Sequence, residues 1–325
     1  MKGKLIFLVV LGHSIQYSVY SNQHVLFSDP FFIFIYSFHM PMFILISGYL
    51  YFFSQVEGVR KLFRKIKTLC IPIFSVISIY FLFRTLLFGI NYSFYDYIFT
   101  LTHSLWFLWV LMCILIARFF FSLTNSLLLR FFSPGFSLLI NSTVYGSCIY
   151  LITNFWGVWF ISEFIYLLPF FIIGELSAIY MQKKKFNKKI LMLMLMVGCV
   201  GLLMLMFWKT EYYIYQDKLG DFDFFIYLYR MLAGVGLCSL FFVISRYIFD
   251  VLKKEVASLI ALLGTSSLFI YILSSFIQPK FIGLYNSTFN ILFSLIISVV
   301  FIVVFLLSSI LVQRNKVTHY MFFGR

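Results

Sequence analysis

Charge is the scarcest thing in this sequence. Only 11% of its 325 residues are Asp, Glu, Lys or Arg, against 62% hydrophobic, whereas soluble domains carry about 25% charged residues. A chain so composed cannot cover a water-facing surface, and its mean hydropathy of +1.00 agrees. Soluble enzymes and soluble binding modules are excluded; this is a polytopic integral membrane protein. Cysteine is sparse too. Cys70, Cys113, Cys148, Cys199 and Cys238 each stand alone in an apolar segment, and with no C-x-x-C pair neither a disulfide framework nor a zinc site follows. They read as small apolar packers. G-x-S-x-G, H-E-x-x-H and Walker sequences are all missing, so serine hydrolase, metalloprotease and ATPase chemistries have no support. No segment outside the apolar runs is long enough to be a domain, and residues 1–325 read as a single transmembrane domain without internal repeats.

The acids are fewer than the bases, 11 against 25, which leaves a net charge of +14. In a soluble protein that surplus would point to nucleic acid. Here it falls in short blocks between apolar spans, the pattern of cytoplasmic loops, and no nucleic-acid partner is expected. Phenylalanine (45) and tyrosine (22) are abundant while alanine is scarce, the bias of A+T-rich bacterial codon usage. The start, "MKGKLIFLVVL", resembles a signal peptide. No small-x-small cleavage site follows at once, so the segment is expected to stay.

A spanning helix needs about 20 mostly apolar residues. The sequence offers ten: 4–20, 31–53, 68–90, 102–121, 135–153, 156–180, 190–208, 222–245, 257–278 and 288–312. With the N-terminus inside, the inner segments collect Lys2 and Lys4, the Arg60–Lys67 block, Arg118 and Arg130, the Lys183–Lys189 block, Arg246, Lys253 and Lys254, then Arg314, Lys316 and Arg325. The outer segments hold only Lys209, Lys218 and Lys280. The expected fold is therefore all-α, about ten transmembrane helices, both termini cytoplasmic, in a bacterial cytoplasmic membrane. The outer loop 209–223 carries Glu211, Asp217, Asp221 and Asp223 among tyrosines. It reads as a solvated loop with an aromatic belt, or as part of a polar acceptor platform.

Ionisable side chains inside spans are costly and mark pathways or sites. His13 falls about mid-membrane in the first span. His39, Glu163 and Arg230 fall about a third of the way in from the outer side of spans 2, 6 and 8, and Arg84 lies at similar depth in span 3. Five groups from five helices at one depth predict a common polar cavity; the plainer alternative is that each pairs privately or snorkels. His103 stands at the mouth of span 4, and Glu175 is expected at an interface. Lys2 and His13 are 11 residues apart, three helical turns, which puts them near one face and about 16 Å apart along the axis. An anionic head with a long thin arm would fit that ruler.

The blocks "KGKLIFLVVLGHS" (2–14), "FHMPMFILISGYLY" (38–51), "SLWFLWVLM" (104–112), "YLLPFFIIGE" (166–175) and "LLGTSSLFIYIL" (262–273) resemble, in order, the membrane-bound acyltransferase-3 family. The flavour is that of fucose 4-O-acetylase-like and capsule or exopolysaccharide O-acetyltransferases. The resemblance implies a ten-helix enzyme moving an acyl group, usually acetyl, from a coenzyme A thioester to a carbohydrate hydroxyl. Acetyl-CoA would then be a co-substrate, not a bound cofactor. The family's basic-x10-His signature falls on Lys2 and His13, its Phe-His-Met-Pro on Phe38–Pro41, its Ser-Gly-Tyr on Ser47–Tyr49 and its Trp-Phe-Leu on Trp106–Leu108. Three features depart from it. The basic position is a lysine, a point charge where relatives often have the arginine fork. Relatives usually carry several residues ahead of that position, where this chain has one. The last block often ends Tyr-x-x-His, and here Tyr271 is followed by Ser274.

On this basis His13 is the candidate general base. His39 or Arg230 would orient the sugar or stabilise developing charge, and Glu163 would fix a tautomer or pair with an arginine. Lys2, with Arg60, Lys61 and Arg64, would hold the coenzyme A phosphates. Arg84, Ser47, Trp106 and His103 are candidates for the acceptor side. A covalent route through a histidine, Ser14 or Ser47 is open, although both serines also read as helix-packing residues. The rival functions are a polysaccharide exporter or proton-coupled transporter, and a scaffold in an envelope-synthesis complex. Membrane lipid is the only other partner expected, and no metal is.

Overall fold

A computed structural model describes residues 1–19, 26–27, 29–53, 59–89, 93–103, 106–128, 130–133, 136, 140, 161–183, 187–209, 224–278 and 291–323. The described residues are almost wholly helical and contain no strand. Helix α1 is Lys2–Ser14, continued by a π-helical stretch, Ile15–Val19. There follow α2 (Pro30–Phe53), α3 (Val59–Phe88), α4 (Phe94–His103), α5 (Trp106–Leu128), α6 (Ile161–Lys183), α7 (Lys188–Leu205) and α8 (Phe224–Val251). The chain closes with α9 (Lys254–Thr265), α10 (Ser267–Ile277), α11 (Ile291–Gln313) and α12 (Lys316–Phe323). Five of these, α2, α3, α7, α8 and α11, are long and apolar enough to cross a membrane, and α9 with α10 makes a sixth if counted as one broken span. The expected span 135–153 and the loop 209–223 lie almost wholly outside the described residues.

Local chemistry sets the ends. Asp29 accepts the Phe32 amide at 2.8 Å and Pro30 takes the first helical position, so α2 starts on an N-cap followed by a residue whose missing N–H costs nothing there. Ser93 and Asp96 exchange side-chain and backbone hydrogen bonds of 2.7–3.1 Å that cap α4 reciprocally. Helix α3 begins well before the expected span at 68, so Arg60, Lys61, Arg64, Lys65 and Lys67 ride on its first turns instead of a loop.

Packing relies on close backbone approach, the usual route to helix association where lipid removes a hydrophobic driving force. The most extensive pairings are α2 with α6 and α7 with α8. In the first, a Cβ on Gly48 would stand 2.1 Å from the Phe171 carbonyl oxygen and one on Gly174 2.0 Å from that of Leu45, so no larger residue fits either position. Helix α1 sits in the centre, touching α2, α9, α10 and α11, and Leu5, Ile6 and Val10 are fully buried.

The segment expected as one span at 257–278 is two helices, bent by 68° at Ser266. The sequence Gly264-Thr265-Ser266-Ser267 explains the break. Thr265 turns its hydroxyl back onto the Leu262 carbonyl at 2.9 Å. Ser266 accepts the Ser309 hydroxyl of α11 at 2.9 Å, and Ser309 in turn accepts the Gln313 amide at 3.0 Å. Gly/Ser clusters are recurrent sites of sharp kinks. The bend matters because it wraps α1: α9 packs on the Lys2 end of that helix and α10 on the His13 end.

Candidate functional site

Helix α1 is continuous from Lys2 to Ser14, so the three-turn separation of Lys2 and His13 holds in the folded chain. At the far end, His13 faces α10. Its Nδ1 lies 3.2 Å from the Ser274 hydroxyl, and Gln278, one turn further along the chain, stands beside the ring. The Gln278 amide nitrogen donates to the Val10 carbonyl at 3.2 Å and to the Ser14 hydroxyl at 3.0 Å. Ser14 spends its own proton on the same Val10 carbonyl. The Tyr17 ring lies 5.8 Å away on the other side.

His39 reaches this cluster from α2. Gly12 lies against Tyr36 and Ile35, which lets α1 and α2 approach closely there, and His39 is near enough to His13 for the two rings to repel one another when charged. His39 donates from Nδ1 to the Ile35 carbonyl at 2.7 Å, because a carbonyl only accepts. Its Nε2 is then the unprotonated nitrogen. Tyr36 packs edge-on to the His39 ring at 4.8 Å and donates to Gln16 at 2.6 Å.

The other expected site residues stand on several different helices. Arg84, on α3, donates to the Tyr80 hydroxyl at 3.0 Å, and Tyr80 packs against Phe276 of α10 at 5.4 Å. Arg230 is buried on α8 with its guanidinium 4.8 Å from the centre of the Tyr166 ring, and Tyr166 donates to the Arg230 carbonyl at 3.3 Å. Glu163 is buried on α6 one turn ahead of Tyr166. Glu175, expected at an interface, is also buried. Ser47 donates to the Phe43 carbonyl of its own helix at 2.8 Å. Arg64 is exposed, Arg60 and Lys61 lie in the first turn of α3, and His103 ends α4 while Trp106 starts α5. The side chains of Arg60, Lys61, His103 and Trp106 lie outside the described residues. Among the cysteines, Cys238 is buried, Cys70 and Cys113 are half-buried, and Cys199 is exposed on α7.

At the Lys2 end a cavity of about 660 Å³ opens between α1, α2, α6, α7, α8 and α9. Its wall is overwhelmingly apolar, with Leu45, Ile46, Val235 and Phe242 among the lining residues. Lys2 and Gly3 line it, as does Met42, three residues along α2 from His39. A Cβ on Gly3 would collide with the Ile260 carbonyl of α9, so glycine is required to seat Lys2 there. Burial pulls the Lys2 ammonium below the usual lysine range, and the Lys65 ammonium of α3 is near enough to repel it. No hydrogen bond or ion pair to Lys2 exists among the described residues.

Sequence reasoning passed over Tyr17, Tyr36, Tyr166 and Gln278. Gln278 had a signal: a polar side chain four residues after Ser274, hence on the same helical face.

The sequence model described as an acyltransferase domain (acyltransferase 3) matches residues 1–313. The chain belongs to the acyltransferase-3 family. Within this membrane acyltransferase a shorter stretch also matches curated relatives. It is 54% identical over 50 residues to "Nodulation protein NolL" of Sinorhizobium fredii, which is 15% of this chain and 14% of that protein. To the protein of the same name from Mesorhizobium japonicum it is 51% identical over 49 residues, 15% of this chain and 13% of that one. The aligned part thus spans about a seventh of either relative. No solved structure matches the acyltransferase.

Proposed function

We propose that this acyltransferase spans the bacterial cytoplasmic membrane ten times with both termini inside, and transfers an acyl group, acetyl in the simplest case, from an acyl-CoA to a hydroxyl of a cell-envelope carbohydrate. The observation that carries the reading is α1 itself: one unbroken helix with a half-buried cation at one end, without an ion pair among the described residues, and a hydrogen-bonded histidine at the other.

Lys2 supplies positive charge for the donor's phosphates, with the basic first turns of α3 close by. The apolar cavity beside Lys2 suits a thin, weakly polar arm and includes Met42, three residues from His39, in its lining. His13, through Nε2, takes the proton of the acceptor hydroxyl as its oxygen forms a bond to the thioester carbonyl carbon. The C–S bond then breaks, and the leaving sulfur takes a proton back from the imidazolium. His39 is placed to stabilise the oxyanion or to orient the sugar, with Arg84 and Arg230 on flanking helices. The depth of His13, His39 and Arg230 favours an acceptor arriving from outside while the donor enters from the Lys2 side. The nodulation-protein relatives match only in part and leave the sugar open.

The test is NMR of the envelope polysaccharide from cells with the gene, without it, and complemented with His13→Ala. Loss of one O-acyl signal on deletion, restored by the wild-type gene and not by His13→Ala, is the expected result. An unchanged polysaccharide that fails to reach the surface would instead favour the exporter reading.

A further inference from the structure

The hydrogen bonds around His13 do more than hold it in place: they choose which ring nitrogen carries the proton. Ser274 sits 3.2 Å from His13 Nδ1. A hydroxyl could either donate to that nitrogen or accept from it. Ser274 has a second partner that can only accept, the Tyr271 carbonyl 2.9 Å away on its own helix, and a hydroxyl has one proton to give. A carbonyl has nothing to give back, so the remaining capacity of the Ser274 oxygen is as an acceptor. With that proton on the Tyr271 carbonyl, His13 carries hydrogen on Nδ1 and leaves Nε2 with a free lone pair. Ser274 is fully buried, so no bulk water competes for the bond.

The geometry also explains why the serine stays there. Gln278, on the same face of the chain as Ser274 and fully buried, grips α1 at Val10 and Ser14, on either side of His13. The 68° break at Ser266 aims α10 at this end of α1. The ring is therefore held from Cβ by α1 and from Nδ1 by α10.

We infer that Ser274 is the positioning residue of the reaction: by accepting from Nδ1–H it fixes the tautomer in which His13 presents Nε2 as the base. The inference rests on His13 being that base, but its test can be read apart from that reading. His39 serves as an internal control, because its tautomer is set by Ile35 of its own helix and owes nothing to α10.

The experiment is 15N NMR of the full chain, labelled at histidine and reconstituted in nanodiscs, with His13 and His39 assigned by single His→Asn variants. Ring nitrogens bearing hydrogen resonate well apart from bare ones. In the wild type, both histidines should show a protonated Nδ1 and a bare Nε2. Ser274→Ala should pull the two His13 signals toward each other, as both tautomers become populated, and leave His39 unmoved. Ser274→Thr, which keeps the hydroxyl, should restore the wild-type pattern. In parallel, Ser274→Ala should lower kcat about fivefold, the worth of one ordinary hydrogen bond, with little change in donor KM. A bare Nδ1 on wild-type His13, or a His13 pattern indifferent to Ser274→Ala, overturns the inference; the first of these can be read without any variant at Ser274. If His13→Ala retained transfer while the tautomer responded as described, the general-base reading would fall and the Ser274 contact would stand.

Discussion

At its two ends α1 meets unlike surroundings. Around His13 several polar groups meet protein partners: Ser274 at Nδ1 of the ring, Gln278 at Val10 and Ser14, and Tyr36 at Gln16 just beyond α1. Three turns away, Lys2 has no hydrogen bond or ion pair among the described residues, shares its neighbourhood with another cation and borders an apolar cavity. One end is pre-organised, so that little has to move when a proton does. The other holds a charge that no acidic group among the described residues offsets, which favours an arriving anion. That division is what a transferase needs: rigid geometry where bonds change, and unsatisfied electrostatics where a substrate must be gripped.

The sharpest way to break the comparison is at the His13 end. His13→Ala removes the base held between α1 and α10, and acyl transfer should fall about 10²–10⁴-fold, the usual worth of a positioned general base. Donor KM should barely move. The check is initial-rate kinetics on purified, folded protein; a loss under tenfold would sink the base assignment.

The Lys2 end should fail differently. Lys2→Gln keeps the length of the chain but not its charge, and donor KM should rise about tenfold to a hundredfold, the range for a charge-assisted contact, with kcat nearly preserved. Burial holds the Lys2 pKa below the ordinary lysine value, so the cation is lost at lower pH than an exposed lysine's would be. Donor KM should therefore climb as pH rises through the alkaline range. Lys2→Arg, charged throughout that range, should flatten the climb. Equal pH dependence in both proteins would remove Lys2 from donor binding.

Much of this was legible before any coordinates, and the reasons are physical. Lys2 and His13 could be related because both sit on one helix, where separation fixes angle and rise. Burial of His39, Glu163 and Arg230 followed from their place in apolar runs. What the chain could not announce was tertiary. That Ser274 faces His13 depends on the 68° break at Ser266, and a run of Gly, Thr and Ser inside an apolar segment reads equally well as a straight span with small packing residues. The shared depth of Arg84, Arg230 and the histidines could likewise be inferred, but depth does not set azimuth. Arg230 turns toward Tyr166 of α6, and Arg84 toward Tyr80 of α3.

The smallest expected effect bears on the covalent alternative. Ser47 lies in the Ser-Gly-Tyr block and could be asked to carry the acyl group. Its hydroxyl, however, is bonded at 2.8 Å to the Phe43 carbonyl four residues back, the ordinary way a serine satisfies itself inside a helix. Among the described residues no base contacts it, and its neighbour Gly48 packs closely against the Phe171 backbone of α6. Ser47→Ala should change stability by about 0.5 kcal/mol or less and leave kcat within about twofold. Thermal unfolding in detergent and initial rates measure the two. A loss on the scale of His13→Ala would mean that Ser47 takes the acyl group, and would move the chemistry from the His13 end of α1 to the middle of α2.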